Sequence, residues 1–304
     1  MKEKIKVVIV DKINLDSINL FNKNKFEVVT DFGITNESIL KKYSDFDALV
    51  IRSVRTIDKK FISKCNFKII ATCSKGFDNI DVTAAKKKKI TVMNIEKGNA
   101  ISAAEHTMGL ILTAMKNILL SDKLVRENKF LTYDYRRNEL LNKKIGIIGY
   151  GHVGSYVGKL CKAFGMKVYA NDTDRKVITK YPHVEFKNLN FILENCDIIT
   201  VHIPLSEKNY HFIDQQKFDK IRRDSIFINT SRGSVIDEKA LLRKLKRNEL
   251  RYVCLDVFSN EPSPNTEFFS YSNTTLTNHI AGKTEESAVK MAKEIFSKIV
   301  NFYK

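Results

Sequence analysis

Between Lys144 and Asp172 the chain reads KIGIIGYGHVGSYVGKLCKAFGMKVYAND. Apolar Ile145, Ile147 and Ile148 run into Gly149-Tyr150-Gly151-His152-Val153-Gly154, a helical stretch reaches Phe164, and a second apolar run, Val168 to Ala170, closes on Asp172. Strand, glycine turn, helix, strand and acid, in that order, can hold a dinucleotide. Gly149 permits a tight turn and Gly151 lets backbone approach a pyrophosphate. Gly154 lets the helix pack close to the strand, with its free N–H groups and positive dipole end toward the phosphates. Asp172 stands at the tip of the second strand, where a carboxylate accepts hydrogen bonds from an adenosine ribose and repels a 2′-phosphate. The expected cofactor is therefore NAD rather than NADP. Glycine turns between strand and helix also arise for purely structural reasons. The flanking strands and the acid in register favour the cofactor here.

These groups need a scaffold, and 304 residues with 43% hydrophobic content suffice for about two domains with sizeable cores. Five cysteines, Cys65, Cys73, Cys161, Cys196 and Cys254, are odd in number, scattered and free of CxxC spacing. They read as buried thiols in a reducing compartment, and neither a disulfide framework nor a metal site is expected. The net charge of +17 could serve nucleic acid or an anionic substrate. Lysine, asparagine and isoleucine are abundant along the whole chain, and runs such as Lys86 to Lys89 read as solvated helix ends. The expectation is a small negatively charged substrate and no nucleic acid. No apolar run approaches the roughly 18 residues that span a bilayer, and MKEKIKVVIVDK passes from charges into a short strand without a signal-peptide core. A cytoplasmic protein without a membrane partner is expected.

The first ninety-odd residues alternate short apolar runs (Val7 to Val10, Phe26 to Val29, Ala48 to Ile51, Lys68 to Ala71, Ile90 to Met93) with amphipathic segments. This is a βαβα rhythm, which predicts a parallel sheet covered by helices. No glycine turn follows its first strand, so this unit is free to serve as substrate domain or lid. From Asn99 to Leu120 the pattern becomes a long helix apolar on most faces, expected to be buried between domains. Asp122 to Lys143, polar and aromatic, reads as a connecting arm. Beyond Asp172, strands are expected near Cys196 to Ile203, Ser225 to Asn229, Tyr252 to Val257 and Thr274 to Thr277. The tail from Lys283 to Tyr303 is amphipathic and helical, and is expected to return to the first domain. The predicted fold is α/β, with two Rossmann-like doubly wound parallel sheets. A cofactor domain (99–282) is inserted in a substrate domain (1–98 and 283–304).

Four further stretches follow strands of the cofactor domain, where such sheets place ligands: VHIPL (201–205), NTSRGSVIDEKAL (229–241), LDVFSNEP (255–262) and TNHIAG (277–282). With the glycine turn they resemble the D-isomer-specific 2-hydroxyacid dehydrogenase family, over essentially the whole chain. Oxidising a 2-hydroxy acid needs a cation for the carboxylate and carbonyl oxygen, a base for the hydroxyl proton, and a hydride acceptor held against C2. The resemblance implies Arg232 for the first role, through its bidentate fork. It implies His279 as the base, and Glu261 to hold that ring and favour its protonated form. It carries NAD to Gly149, Gly151, His152, Val153 and Gly154 at the phosphates, to Asp172 at the ribose and to Ile203 and Pro204 on the adenine side. Thr230 and Asp256 would flank the nicotinamide, Asp256 accepting from its carboxamide, and Ser231 and Gly282 complete the cofactor set. His106, in AEHTMG, and His202, in VHIP, read as structural or cofactor-lining.

In the first domain, LVIRSVRTID (49–58) and ATCSKGFDNID (71–81) match the family's substrate loops. Arg52 and Ser53 are similar to the RS pair that phosphoglycerate dehydrogenases place near the phosphate, and DKIN at Asp11 to Asn14 is similar to their opening. Lys75, before Gly76, departs from their pattern and is similar to the loop of phosphite dehydrogenases. Asn278 stands where a proline usually precedes the histidine. The implied substrate site is Arg52, Ser53, Lys75 and Gly76 with Arg232 and His279. The resemblance then implies NAD-dependent oxidation of 3-phosphoglycerate, the entry to serine synthesis, by a homodimer. Glyoxylate or hydroxypyruvate reduction is the alternative. Phosphite oxidation and an NAD-sensing corepressor role are more distant ones.

Overall fold

The central strands of the first unit form where β-branched and apolar residues run together. Ala48–Ile51 and Ile69–Thr72 are buried at every position, as in parallel strands covered on both faces. The computed structural model describes residues 3–130 and 137–304. The chain divides into two compact units, 1–99 with 283–304, and 100–282.

The first unit carries β1 (Ile5–Ile9), β2 (Phe26–Thr30), β3 (Ala48–Ile51), β4 (Ile69–Thr72) and β5 (Thr91–Met93) in one sheet of order β2-β1-β3-β4-β5. Every pairing is parallel, and Ile51 of β3 lies opposite Thr72 of β4. Arg52-Ser53 and Lys75-Gly76 therefore leave the same edge of neighbouring strands. The tail forms one helix, Glu285–Phe302, opened by a capping box between Thr284 and Ser287. Its Ala292, Ile295, Phe296 and Ile299 are buried with Phe21, Phe26 and Ile69 of this unit. Burial of each such large apolar side chain is worth about 1.5–3 kcal/mol, which fixes the tail here.

The second unit carries β6 (Lys144–Ile148), β7 (Lys167–Asn171), β8 (Glu185–Phe186), β9 (Ile198–Val201), β10 (Ile226–Asn229), β11 (Tyr252–Leu255) and β12 (Thr274–Leu276). They form an all-parallel sheet of order β12-β11-β10-β9-β6-β7-β8. The order reverses at β6, whose carboxyl end carries the glycine turn, so that turn sits at the switch point where open α/β sheets take ligands. The two-residue β8 leaves no periodic signal in the sequence, and β9 is shorter than the run from Cys196 to Ile203 suggests.

The long helix expected from Asn99 to Leu120 is two helices, Ala100–Lys116 and Ile118–Arg126. Asn117 between them takes a left-handed conformation (φ 53°), one that asparagine tolerates better than most residues. The first helix buries Ala104, Met108, Ile111 and Met115 with Ile145, Ile147, Val157 and Cys161 in a core of the second unit. Residues 131–136 of the expected arm lie outside the described residues. Among the described residues no helix is long and apolar enough to cross a membrane, and none form a group of ligands that could hold a metal.

Candidate active site

At the glycine turn, local backbone demands explain the residue types. Gly149 has φ 89°, and a Cβ there would lie 2.8 Å from both His202 O and Ile203 Cγ2, so the turn closes against the loop after β9. A Cβ on Gly154 would lie 2.1 Å from Gly149 O, so only glycine lets the His152–Ala163 helix start this close to β6. Around Gly151 a Cβ would meet nothing within 4 Å, and the turn faces open space. His152 and Val153 form the first turn of that helix, whose leading N–H groups point the same way. Asp172 closes the loop: its Oδ2 accepts from Tyr150 N at 2.8 Å and its Oδ1 from Asp174 N at 2.9 Å. The acid thus holds the turn as well as offering lone pairs to a ribose. An open glycine cradle, a helix start and a carboxylate at the neighbouring strand tip fit a dinucleotide pyrophosphate and ribose.

Ile203 is half-buried beside this turn, and Pro204 is exposed. Burial pushes the His202 imidazole down to about 3, and its Nε2 pairs with Thr200 Oγ1 at 2.9 Å, so His202 is neutral. If Asp172 is the ribose acceptor, Asp172→Ala will weaken NAD binding and narrow the gap between NAD and NADP. Dissociation constants for both cofactors decide it, and an unmoved ratio would remove Asp172 from that role.

Three strand ends carry the residues expected to react. After β10, buried Asn229 shapes the turn that presents Arg232. Its Oδ1 accepts from Ser231 N at 3.0 Å and Ser231 Oγ at 2.8 Å, and its Nδ2 donates to Arg232 O at 2.9 Å. Gly233 follows in such close contact that a Cβ would lie 1.8 Å from Phe258 C. This packs the Arg232 loop onto the FSNEP loop after β11, which carries Glu261. Glu261 Oε1 accepts from Phe258 N at 3.0 Å, and its Oε2 accepts from His279 Nδ1 at 2.7 Å. Partial burial pushes the Glu261 carboxyl up. The His279 and Phe258 bonds and the Arg232 charge outweigh this and hold it below its usual range, so Glu261 is an anion at neutral pH. An anion can only accept, so Nδ1 is the protonated nitrogen in that bond. That leaves Nε2 of His279 outside the bond to Glu261.

After β12, His279 takes φ 55°, an uncommon conformation for a non-glycine residue, and Asp256 imposes it. His279 N donates to Asp256 O at 2.8 Å. The Asp256 carboxylate, wholly buried, accepts from Thr277 Oγ1 at 2.6 Å, Ile280 N at 2.9 Å and Ala281 N at 2.9 Å. Asp256 is thus the anchor of the histidine loop. Thr230 Oγ1 lies 3.0 Å from Thr107 Oγ1, and Gly282 ends the unit. The anchoring roles of Asn229 and Asp256 are missing from the sequence reading. An asparagine or aspartate ending an apolar strand just before a motif is the available signal.

In the first unit, Arg52 N donates to Asp11 Oδ2 at 2.9 Å, and its guanidinium makes a long 3.4 Å contact with Lys12 O. The neighbouring Arg55 forms the firm ion pair with Asp11. Ser53 is exposed, and Gly76 O accepts from Ser74 Oγ at 2.6 Å. Lys75 is exposed, but its Nζ donates to Glu96 O at 3.1 Å.

The chain is similar to known proteins along its whole length. It is 34% identical over 303 residues to a D-3-phosphoglycerate dehydrogenase of Archaeoglobus fulgidus, covering 99% of this chain and 58% of that protein. It spans about half the length of the D-3-phosphoglycerate dehydrogenases it matches. A hydroxypyruvate reductase of Thermotoga maritima is 35% identical over 284 residues, 92% of each chain. A D-lactate dehydrogenase from Aquifex aeolicus, solved with NAD and lactic acid, superposes with a TM-score of 0.83 at 26% identity, covering 98% of this chain and 95% of that one. Residues 108–281 match the family described as D-isomer specific 2-hydroxyacid dehydrogenase, NAD binding domain, and with the relatives above this shows that the chain belongs to that family.

Proposed function

We propose that this chain is an NAD-dependent dehydrogenase that interconverts a D-2-hydroxy acid and its 2-keto acid, with 3-phosphoglycerate and 3-phosphohydroxypyruvate as its preferred pair. One observation carries the chemistry: the Glu261–His279 pair at 2.7 Å, close enough to Arg232 for its charge to stabilise the carboxylate. When bound, NADH supplies the hydride to C2. Arg232 holds the substrate carboxylate and stabilises negative charge on the carbonyl oxygen. His279 donates the proton from Nε2 to that oxygen, and Glu261 stabilises the imidazolium before transfer. In the oxidative direction His279 takes the hydroxyl proton. Membership of the family supports an enzyme, and the Glu261–His279 bond does not by itself exclude an NAD-sensing binding protein.

The phosphate reading rests on Arg52 and Lys75, two cations at the carboxyl ends of neighbouring strands of the first unit. Arg52→Ala and Lys75→Ala should each raise KM for 3-phosphohydroxypyruvate far more than for glyoxylate. A charge-assisted hydrogen bond is worth about 1.5–3 kcal/mol, roughly ten- to a hundredfold in binding. Equal effects on both substrates would sink the phosphate assignment. Reduction of hydroxypyruvate or glyoxylate is the second reading. The hydroxypyruvate reductase relative, matched over 92% of its own length, favours it, as does the existing bond of Lys75 to Glu96.

A homodimer belongs to the same reading. Ile118, Leu119, Val125, Phe130 and Leu141 are exposed apolar residues in the stretch that follows the first long helix of the second unit. A cytoplasmic setting is supported by five cysteines that are all free and buried.

A further inference from the structure

His106 lies outside the roles assigned above, and its contacts are specific. Its Nε2 lies 3.2 Å from Thr277 Oγ1 and 3.6 Å from Asp256 Oδ1. The hydrogen directions follow from counting donors. Asp256 already receives the N–H groups of Ile280 and Ala281, and it takes the only hydroxyl hydrogen of Thr277 at 2.6 Å. Thr277 Oγ1 can then only accept from His106, so Nε2 of His106 carries a hydrogen. A directed chain runs from His106 through Thr277 to Asp256, the residue whose backbone and carboxylate fix the left-handed turn at His279.

The next residue does the same for the other loop. Thr107 Oγ1 donates to Ala103 O at 2.8 Å, so in its 3.0 Å contact with Thr230 Oγ1 it accepts, and Thr230 donates. Thr230 and Thr277 each stand two residues before a reacting side chain, Arg232 and His279. One helical turn, Ala103 to Thr107 in the Ala100–Lys116 helix, therefore references both strand-end loops to a common frame.

We propose that His106 is a positioning residue: its Nε2–H, through Thr277 and Asp256, sets the orientation in which His279 meets Glu261. The kinetic consequence rests on the keto-acid reduction proposed above; the structural one does not. The bland alternative is that His106 only fills space or lines the cofactor site.

Two variants separate these roles. His106→Phe keeps a ring without a donor, and His106→Gln keeps an N–H donor. With hydroxypyruvate as substrate, His106→Phe should lower kcat by about ten- to a hundredfold, the scale of a small misplacement of a reacting group, with the NADH dissociation constant unchanged. His106→Gln should recover most of that loss. In cofactor-free protein the Nδ1–H resonance of His279, identified by its absence from His279→Ala, should move or broaden in His106→Phe and return in His106→Gln. An unchanged kcat in His106→Phe, NADH affinity falling in step with kcat, or His106→Gln no better than His106→Phe would each overturn the proposal. If the unmutated protein reduces no keto acid, the dehydrogenase reading fails. The resonance then decides the positioning role alone: unmoved, it rejects it, and moved in His106→Phe but restored in His106→Gln, it supports it.

Discussion

Replacing His279 by alanine is expected to lower kcat for keto-acid reduction by about two to four orders of magnitude, the usual scale of general acid–base catalysis, while NADH still binds. The size follows from the geometry. Nδ1 is committed to Glu261 at 2.7 Å, so Nε2 is the one ring nitrogen available to the carbonyl oxygen. Arg232 would still hold the carboxylate, so KM should change far less than kcat. Steady-state kinetics with NADH titrated separately by fluorescence measures both. A loss confined to KM would mean that His279 binds substrate rather than transferring a proton.

Gly233→Ala is expected to act nearly as strongly, without removing any reacting group. Its Cβ would lie 1.8 Å from Phe258 C and 2.2 Å from Ser259 N, and backbone on both sides leaves no flexible side chain to yield. The loops carrying Arg232 and Glu261 must separate. Overpacking of this kind costs about 1–3 kcal/mol of stability, and a displacement of about 1 Å at reacting groups can cost a hundredfold in rate. Denaturant unfolding and kcat/KM, measured on the same variant, should both fall. Retained kcat/KM would show that the two loops need not touch for catalysis.

The glycine turn was legible in the sequence because each of its requirements is local: a left-handed residue at Gly149, no Cβ at Gly154, an acid one strand later. That Arg232, Glu261 and His279 come together was legible through the motifs that carry them. What those groups rest on was less so. Asp256 suggested a nicotinamide acceptor, yet three of its four carboxylate acceptor positions hold Thr277, Ile280 and Ala281. That use depends on the chain after β12 folding back over the end of β11, a tertiary event with no periodic signal. The break at Asn117 was hidden for a related reason. Apolar residues continue past it, so the pattern reads as one helix, while a single left-handed residue ends the first helix and begins a second. His106 and Thr107 looked like polar interruptions of an apolar helix, and only the positions of Thr230 and Thr277 give them a purpose.

This chain is proposed to reduce 2-keto acids with NADH through His279. The most direct test follows NADH absorbance after mixing the unmutated protein with 3-phosphohydroxypyruvate, hydroxypyruvate or glyoxylate, and determines the configuration of the hydroxy acid formed. NADH should be consumed with at least one of them, fastest with the phosphorylated acid, giving a D-configured product wherever C2 becomes chiral. NADH that binds but is consumed with none of the three, or an L-configured product, would contradict it.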